Sequence, residues 1–449
     1  MLEIPSLFLN SISECCGFEN DAFVKAHQNE PPTSIRINPL KPTPLNFDLT
    51  HPVLWNKHGF YLNERPNFTH DIFFQAGCYY VQEAASMFIE HALLSCVDFS
   101  KQLIALDSCA APGGKSTLLN SLLNSESVLV ANEISKPRVE VLSQNLVKWG
   151  THNLVVTNND PSAFNVIENT FDIILVDAPC SGSGLFRKQH DAVEEWSIDH
   201  VNLCAQRQKR ILADLVGSLS NNGVLLYSTC SYSEQENENI ADWLIEEFNL
   251  ESIQIPIKKD WGIVETKTNA FGYRFYPDKT ESEGFFCSLF IKKSDDKKNR
   301  FTKKNRNELF SDIKPKEKET LSMWVDKIDE HAVIKFKNDY LLTNQLTIDF
   351  ISNYNHLYLK KVGTTIGSLI KNELIPNHDL ALSIHKNKSI KVYEINKAEA
   401  IRFLKKENLK IDCDQGWILV RYKSLGLGWI KQLGNRFNNY LPNEFRIMK

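Results

Sequence analysis

The sequence predicts an α/β protein built on a doubly wound, Rossmann-like parallel sheet. Three observations carry that expectation. From about residue 102 to 292, apolar runs of strand length alternate with segments of helical periodicity, the pattern of βαβ units whose sheet is covered on both faces. Each run ends in a polar cluster, at Asp107, Glu133, Asn158-Asn159-Asp160, Asp177 and Cys230, and such sheets bind ligands beyond the carboxyl ends of their strands. The first run also feeds a loop of small residues, 108–114, before Lys115-Ser116-Thr117 opens a helix.

The elements follow in order. The head, residues 1–95, reads as a small α+β region. Segments 9–18 and 23–27 are weakly amphipathic, and the prolines of 31–45 keep the chain extended. Ile35 and Ile37 alternate with polar neighbours as in a strand, placing Arg36 on the opposite face. The aromatic pairs Phe73-Phe74 and Tyr79-Tyr80 read as core and precede a helix over 82–95. Strand 103–106 is followed by the glycine loop and its helix, then by strand 127–133. Val139, Leu142 and Leu146 give a helix over 136–149 that stops at Gly150. Strands follow at 153–157 and 171–176, a long helix at 192–219, a fifth strand at 223–229, a helix at 235–248 and a closing strand at 283–292. Residues 292–318 are charged with few apolar positions and read as a flexible linker. The tail, 319–449, regains apolar periodicity and ends in a glycine-rich, aromatic, basic stretch. There Arg421, Lys423, Trp429, Lys431 and Arg436 suit either RNA contacts or a hairpin core with a solvated face.

Composition narrows the class. A chain of 449 residues exceeds one ordinary core, so two or three domains are expected. Its 42% hydrophobic and 24% charged residues are those of a globular protein, and no uncharged apolar run reaches membrane-span length. The first residues carry an early Glu3 and no basic segment, unlike a secretory signal. Ten cysteines without paired C-x-x-C spacing argue for thiols in the cytoplasm, with neither a disulfide framework nor a metal site. The net charge of -4 is uneven: residues 1–299 hold 24 basic and 38 acidic side chains, residues 300–449 hold 27 and 17. A basic C-terminal part points to a polyanion such as RNA.

The chemistry sits at the strand ends. Glycine loop 108–114 could cradle a nucleotide phosphate, because Gly114-Lys115-Ser116 resembles the end of a Walker loop. The first glycine of that motif would fall at position 109, which is Cys109, and Pro112 stiffens the middle. The other ligand is S-adenosylmethionine, with Glu133, 19 residues after Gly114, gripping the ribose hydroxyls. Asp177-Ala178-Pro179-Cys180 and Ser228-Thr229-Cys230 put two cysteines at the ends of neighbouring strands. Methylating carbon 5 of a pyrimidine needs a thiolate, since addition at carbon 6 is what makes carbon 5 nucleophilic. Asp177 is placed to stabilise such an adduct. An amino-directed enzyme would carry an Asn/Asp-Pro-Pro-aromatic motif instead.

The stretches CAAPGGK (109–115), FDIILVDAPCSGSG (171–184) and YSTCSYSEQEN (227–237) resemble those of the Nop/Sun family of RNA cytosine-5 methyltransferases. SIRINPLK (34–41) and QEAAS (82–86) are similar to its N-terminal region, and the tail 420–447 is similar to the end of its bacterial members acting on 16S ribosomal RNA. The resemblance implies a methyltransferase sheet over 96–293, a family-specific RNA-binding head over 1–95, a linker over 294–318 and a PUA-like α+β RNA-binding domain over 319–449. It implies Cys230 as the nucleophile and Cys180 as the residue assisting release, an order that spacing alone leaves open. It further implies cofactor contacts from Cys109, Ala110, Ala111, Pro112, Gly113, Gly114, Lys115, Glu133, Asp160 and Asp177, with Asp160 facing the adenine amine. The family's R-K-D-P-D loop reads Arg187-Lys188-Gln189-His190-Asp191 here, a departure that bears on loop shape and target choice. The expected partner is 16S rRNA or the 30S subunit, with no membrane and no protein partner implied. The alternatives are tRNA as substrate, a P-loop-like ATPase, and a non-catalytic ribosome assembly factor.

Overall fold

The computed structural model describes residues 4–293, 301, 310–371, 373–434 and 436–448. Among them a ten-stranded sheet forms the centre. Its parallel strands are β1 (Ile104–Asp107), β2 (Val128–Asn132), β3 (Leu154–Thr157), β4 (Phe171–Asp177) and β5 (Leu219–Thr229), in the order β5-β4-β1-β2-β3. The order reverses between β1 and β4, the switch point at which doubly wound sheets bind ligands. Every residue of β1, β2 and β3 is buried, which is why these strands read as continuous apolar runs.

Alternation divides the core in two. Ala105, Leu129, Leu154 and Ile173 pack against Leu118 and Leu119 of α1 (Gly114–Leu122) and Leu142 and Leu146 of α2 (Lys136–Trp149). Ile104, Leu106, Val130 and Ile174 pack on the other face, against Leu212 and Leu215 of α3 (Ile198–Val216) and Ile240 and Leu244 of α4 (Glu238–Phe248). The end of α2 lies where periodicity and Gly150 place it, with Gly150 in the left-handed region at φ 93°.

Several expectations are corrected. The helix expected over 192–219 is two helices, Asp191–Glu195 and α3, because Ser197 leaves the helix and accepts the His200 N–H as an N-cap. Segment 82–95 is a 3-10 turn at Ala85–Met87 and a short helix at Phe88–Leu94. A hairpin, Val264–Lys267 with Phe271–Phe275, joins the sheet beside Phe285–Ile291 and has no counterpart in the strand expectations. Of the expected linker, 294–300 and 302–309 lie outside the described residues. Its remainder is not a linker. Phe310–Asp312 pairs with Ala332–Phe336, and Pro315–Ser322 is a helix with Pro at its start and Glu317 accepting the Lys314 N–H. Lysine and glutamate form helix readily when one face stays solvated, and Leu321 supplies the buried contact.

The C-terminal part carries a five-stranded and a four-stranded sheet. It also completes the central sheet. Leu359–Val362 pairs antiparallel with β3 and covers what would otherwise be an open edge. Helix Gln345–Asn353 lays Leu346, Phe350 and Ile351 onto the core on the α3 side. Asn344 caps that helix through the Thr347 N–H (2.8 Å) and donates to the carbonyls of Ser125 and Ser127, both at 2.8 Å. The Gly416–Tyr422 and Leu425–Gln432 strands form the hairpin core expected as one alternative for the tail. Trp429 is fully buried there, so it is no base-stacking platform, while Arg421 and Lys431 pair with Glu394 and Glu373.

Asn344→Ala removes a helix cap and leaves the buried Ser127 carbonyl without this donor, along with the more exposed Ser125 carbonyl. We expect a loss of about 2–3 kcal/mol of stability, read as a lower unfolding temperature, and Asn344→Asp, which keeps the cap acceptor but sets a carboxylate oxygen against two carbonyls, should be no better.

Candidate active site

The site is built along the carboxyl edge of β1 to β5. β1 ends at the fully buried Asp107, whose Oδ2 accepts from Ser116 Oγ at 2.6 Å and whose Oδ1 has no partner among the described residues. Burial pushes this carboxyl up to about 7. The loop then turns at Gly113, φ 112°, where a Cβ would lie 3.3 Å from Leu142 Cδ1, and enters α1 at Gly114. Cys109 is half-buried, and desolvation pushes its thiol up to about 12, so it stays protonated.

Glu133 follows β2 and is buried; its Oε1 accepts the Ser135 N–H at 2.9 Å, and Arg138 stands 3.6 Å from Oε2. Arg138 also donates to the Ala111 carbonyl at 2.7 Å and so ties the loop to this acid. Asp160 follows β3, accepts the Ser162 N–H at 3.0 Å and pairs with Arg210 at 3.1 Å. Its partial burial, which alone would raise it, is outweighed by those hydrogen bonds, and its carboxyl is held low. Asp107, Glu133 and Asp160 thus stand at or just beyond the ends of three adjacent strands, which are spaced roughly 4.8 Å apart. A row of carboxylates with an orphaned buried oxygen beside a left-handed glycine suits a nucleoside that brings hydroxyl and amine donors. It repels the phosphates a Walker loop would hold. The residues present therefore fit S-adenosylmethionine.

Lys115 does not reach into a phosphate cradle. Its Nζ pairs with Asp177 Oδ2 at 2.7 Å, and Asp177 Oδ1 accepts from Ser228 Oγ at 2.8 Å. Burial alone would lower Lys115, but Asp177 and then Cys230 raise it, so it stays cationic.

Cys180 and Cys230 follow β4 and β5, which are in register at Asp177 and Ser228. Their sulfurs are 2.9 Å apart, and both are free thiols. Contact with the Cys230 sulfur and burial push the Cys180 thiol well up. Behind them lies a group the sequence reading missed. Each cysteine is followed by a serine, and both serines donate to the buried Glu236 carboxylate, Ser181 Oγ at 2.5 Å and Ser231 Oγ at 2.6 Å. The Ser181 N–H (2.9 Å) and Gln208 Nε2 (3.0 Å) complete its shell. The repeated Cys-Ser dipeptide was the visible signal. Gly184 holds the other side: its N–H donates to the Cys230 carbonyl at 2.7 Å, and a Cβ there would lie 2.6 Å from that oxygen.

The head contributes a second missed residue. Arg36 is fully buried; its Nε donates to Gln82 Oε1 (2.8 Å) and its Nη2 to Thr117 Oγ1 (2.7 Å), with the guanidinium 4.6 Å above the Trp149 ring. It fixes the first turn of α1 from outside the catalytic sheet. In the departing loop, Arg187 is buried against Glu283 at 2.8 Å, while Gln189 and His190 line an open cleft of about 1030 Å³ with Arg65 and His51.

Three family models match the chain: 16S rRNA methyltransferase RsmB/F over residues 95–291, the N-terminal domain of 16S rRNA methyltransferase RsmF over 4–84, and the methyltransferase RsmF PUA domain over 390–447. Ribosomal RNA small subunit methyltransferase F of Aeromonas hydrophila is 30% identical, over 98% of this chain and 97% of its own length. That of Shewanella oneidensis is 28% identical, over 99% and 97%. A solved methyltransferase homologue from Pyrococcus horikoshii superposes with a TM-score of 0.55 at 28% identity, over 65% of this chain and 96% of its own.

Glu236→Ala strands four buried donors behind the cysteines. We expect a loss of about 3 kcal/mol of stability together with a large fall in kcat. Glu236→Gln, which cannot accept from every donor at once, should keep the fold and lose activity at unchanged cofactor affinity, measured by calorimetric titration.

Proposed function

The chain belongs to the ribosomal RNA small subunit methyltransferase F family, and from that premise we propose that it methylates carbon 5 of a cytosine in 16S rRNA, acting in the cytoplasm on the RNA or the 30S subunit. The observation that carries this reading is the pair of sulfurs 2.9 Å apart at the ends of β4 and β5. Bound S-adenosylmethionine supplies an electrophilic methyl group. Cys230 adds through its thiolate to carbon 6 of the base, which makes carbon 5 nucleophilic. Asp177, its carboxylate fixed by Lys115 and Ser228, accepts from the exocyclic amine and orients the ring. Once carbon 5 carries its methyl group, its proton must leave and the carbon 6 to sulfur bond must break. Cys180, which holds its proton tightly, stands beside the departing sulfur; it gives that sulfur its proton and takes up the one leaving carbon 5, which assists the release.

Asp107, Glu133 and Asp160 with loop residues 109–115 hold the cofactor in this reading, Glu133 at the ribose and Asp160 toward the adenine. The Rossmann-like unit of 96–293 is catalytic. The head, 1–95, braces the cofactor loop and contributes to RNA binding. The PUA-like part adds phosphate contacts that set affinity and register without reading sequence.

The test follows labelled methyl transfer to unmodified 30S subunits, 16S rRNA and tRNA, with adducts resolved on denaturing gels. Cys230→Ala is expected to lose at least about a thousandfold in rate, and Cys180→Ala to accumulate a covalent protein–RNA adduct. The reverse outcome exchanges the two roles. Methylation untouched by either substitution overturns the carbon-5 mechanism, label in tRNA alone overturns the substrate, and no transfer by the wild type supports a non-catalytic assembly factor.

A further inference from the structure

On the opposite side of the molecule, three histidines from three separated segments converge. His152 lies in the turn between α2 and β3, His331 closes a 3-10 turn just before strand Ala332–Phe336, and His385 follows helix His378–Leu382. The three rings meet edge to face, with centroids 4.3–4.7 Å apart. Each offers one ring nitrogen, and these nitrogens lie within 4.8 Å of one another. His152 is 3% exposed. The Nε2 of His385 is buried with no hydrogen-bond partner among the described residues. A buried imidazole nitrogen left unpaired is costly and calls for a ligand that the protein itself does not supply.

We propose that His152, His331 and His385 bind a divalent first-row cation of the zinc class, as a structural clamp between the catalytic sheet and the C-terminal part. Imidazole is a preferred zinc ligand, and three histidines leave a fourth position for water. Zinc–nitrogen bonds of about 2.0–2.1 Å in tetrahedral geometry place ligand nitrogens about 3.4 Å apart, so the rings close by roughly an ångström as the ion enters. Carboxylates stand near to balance the added charge: Glu330, Glu126 and Asp326 act on His331, opposed by Lys327, and Lys386 faces His385.

The role is structural because of where the cluster sits. His152 precedes β3, at the amino edge of the parallel strands, whereas Asp177 and Cys230 occupy the carboxyl edge. The surrounding backbone is already a junction between the two parts. The Ile384 N–H donates to the Gly150 carbonyl at 3.1 Å, the Gly363 N–H to the Leu154 carbonyl at 2.8 Å, and Thr364 Oγ1 to the Thr151 carbonyl at 3.0 Å. An ion at this point would lock the docking of the C-terminal part on β3.

The experiment uses the full chain, stripped with a chelator and titrated with Zn²⁺ and, separately, Co²⁺. We expect about one ion per chain and a rise in unfolding temperature of about 3 °C at saturating zinc. The cobalt form should show visible d–d bands without the sulfur-to-metal charge-transfer band that binding at Cys180 and Cys230 would give. His331→Gln and His385→Gln should each abolish the stoichiometric site, while Cys180→Ser with Cys230→Ser retains it. No stoichiometric binding, a thiolate charge-transfer band as the sole signal, or binding that survives both histidine substitutions overturns the proposal. The wild-type cobalt spectrum decides it even if a histidine variant fails to fold.

Discussion

Two loops leaving adjacent parallel strands have no reason of their own to bring their first side chains together. Here one buried carboxylate does so. Glu236 accepts from the serine after Cys180, the serine after Cys230, a backbone N–H and Gln208. An isolated carboxylate out of water costs several kcal/mol, and only a full set of charge-assisted donors offsets that cost. The constraint therefore runs both ways. The acid tolerates burial because both loops donate to it, and the loops keep their sulfurs 2.9 Å apart because they share it. Gly184 closes the arrangement from the other side, where only a residue without a Cβ lets the backbone approach the Cys230 carbonyl.

The cofactor edge depends on a similar coupling between parts of the chain. The glycine loop belongs to the catalytic sheet, yet its helix start is held by Arg36 of the head. Burial lowers the Arg36 guanidinium to about 10, so at neutral pH it remains a buried cation. It is stabilised by Gln82, by Thr117 and by the face of Trp149. The head thus braces the glycine loop and the start of α1 mechanically.

The C-terminal part is likewise no detached appendage. An exposed edge strand invites unwanted pairing, and Leu359–Val362 occupies the edge at β3. Because the same part carries an excess of basic residues, the sheet edge holds that basic part and the strand-end site in one frame. A methyltransferase acting on a large, structured RNA benefits from such a fixed register, since phosphate contacts orient the substrate while the site itself handles one base.

The parallel sheet, its two covered faces, the glycine loop, the paired cysteines and the end of α2 at Gly150 were all legible in the sequence. Each is set by local periodicity or by a short motif, and such signals need no knowledge of distant residues. The strand-end acids Glu133 and Asp160 were legible for the same reason. Glu236, Arg36 and the strand at Leu359–Val362 were not, because they act on partners 28 to 207 positions away that only folding brings near. Gln208 is 28 positions from Glu236, Thr117 is 81 from Arg36, and Leu359 is about 200 from its partner in β3. The sequence by itself determined which chemistry the strand ends could carry. Tertiary structure alone decided which side chains hold that chemistry in place, because burial and hydrogen-bond satisfaction are properties of the packed molecule and not of any segment.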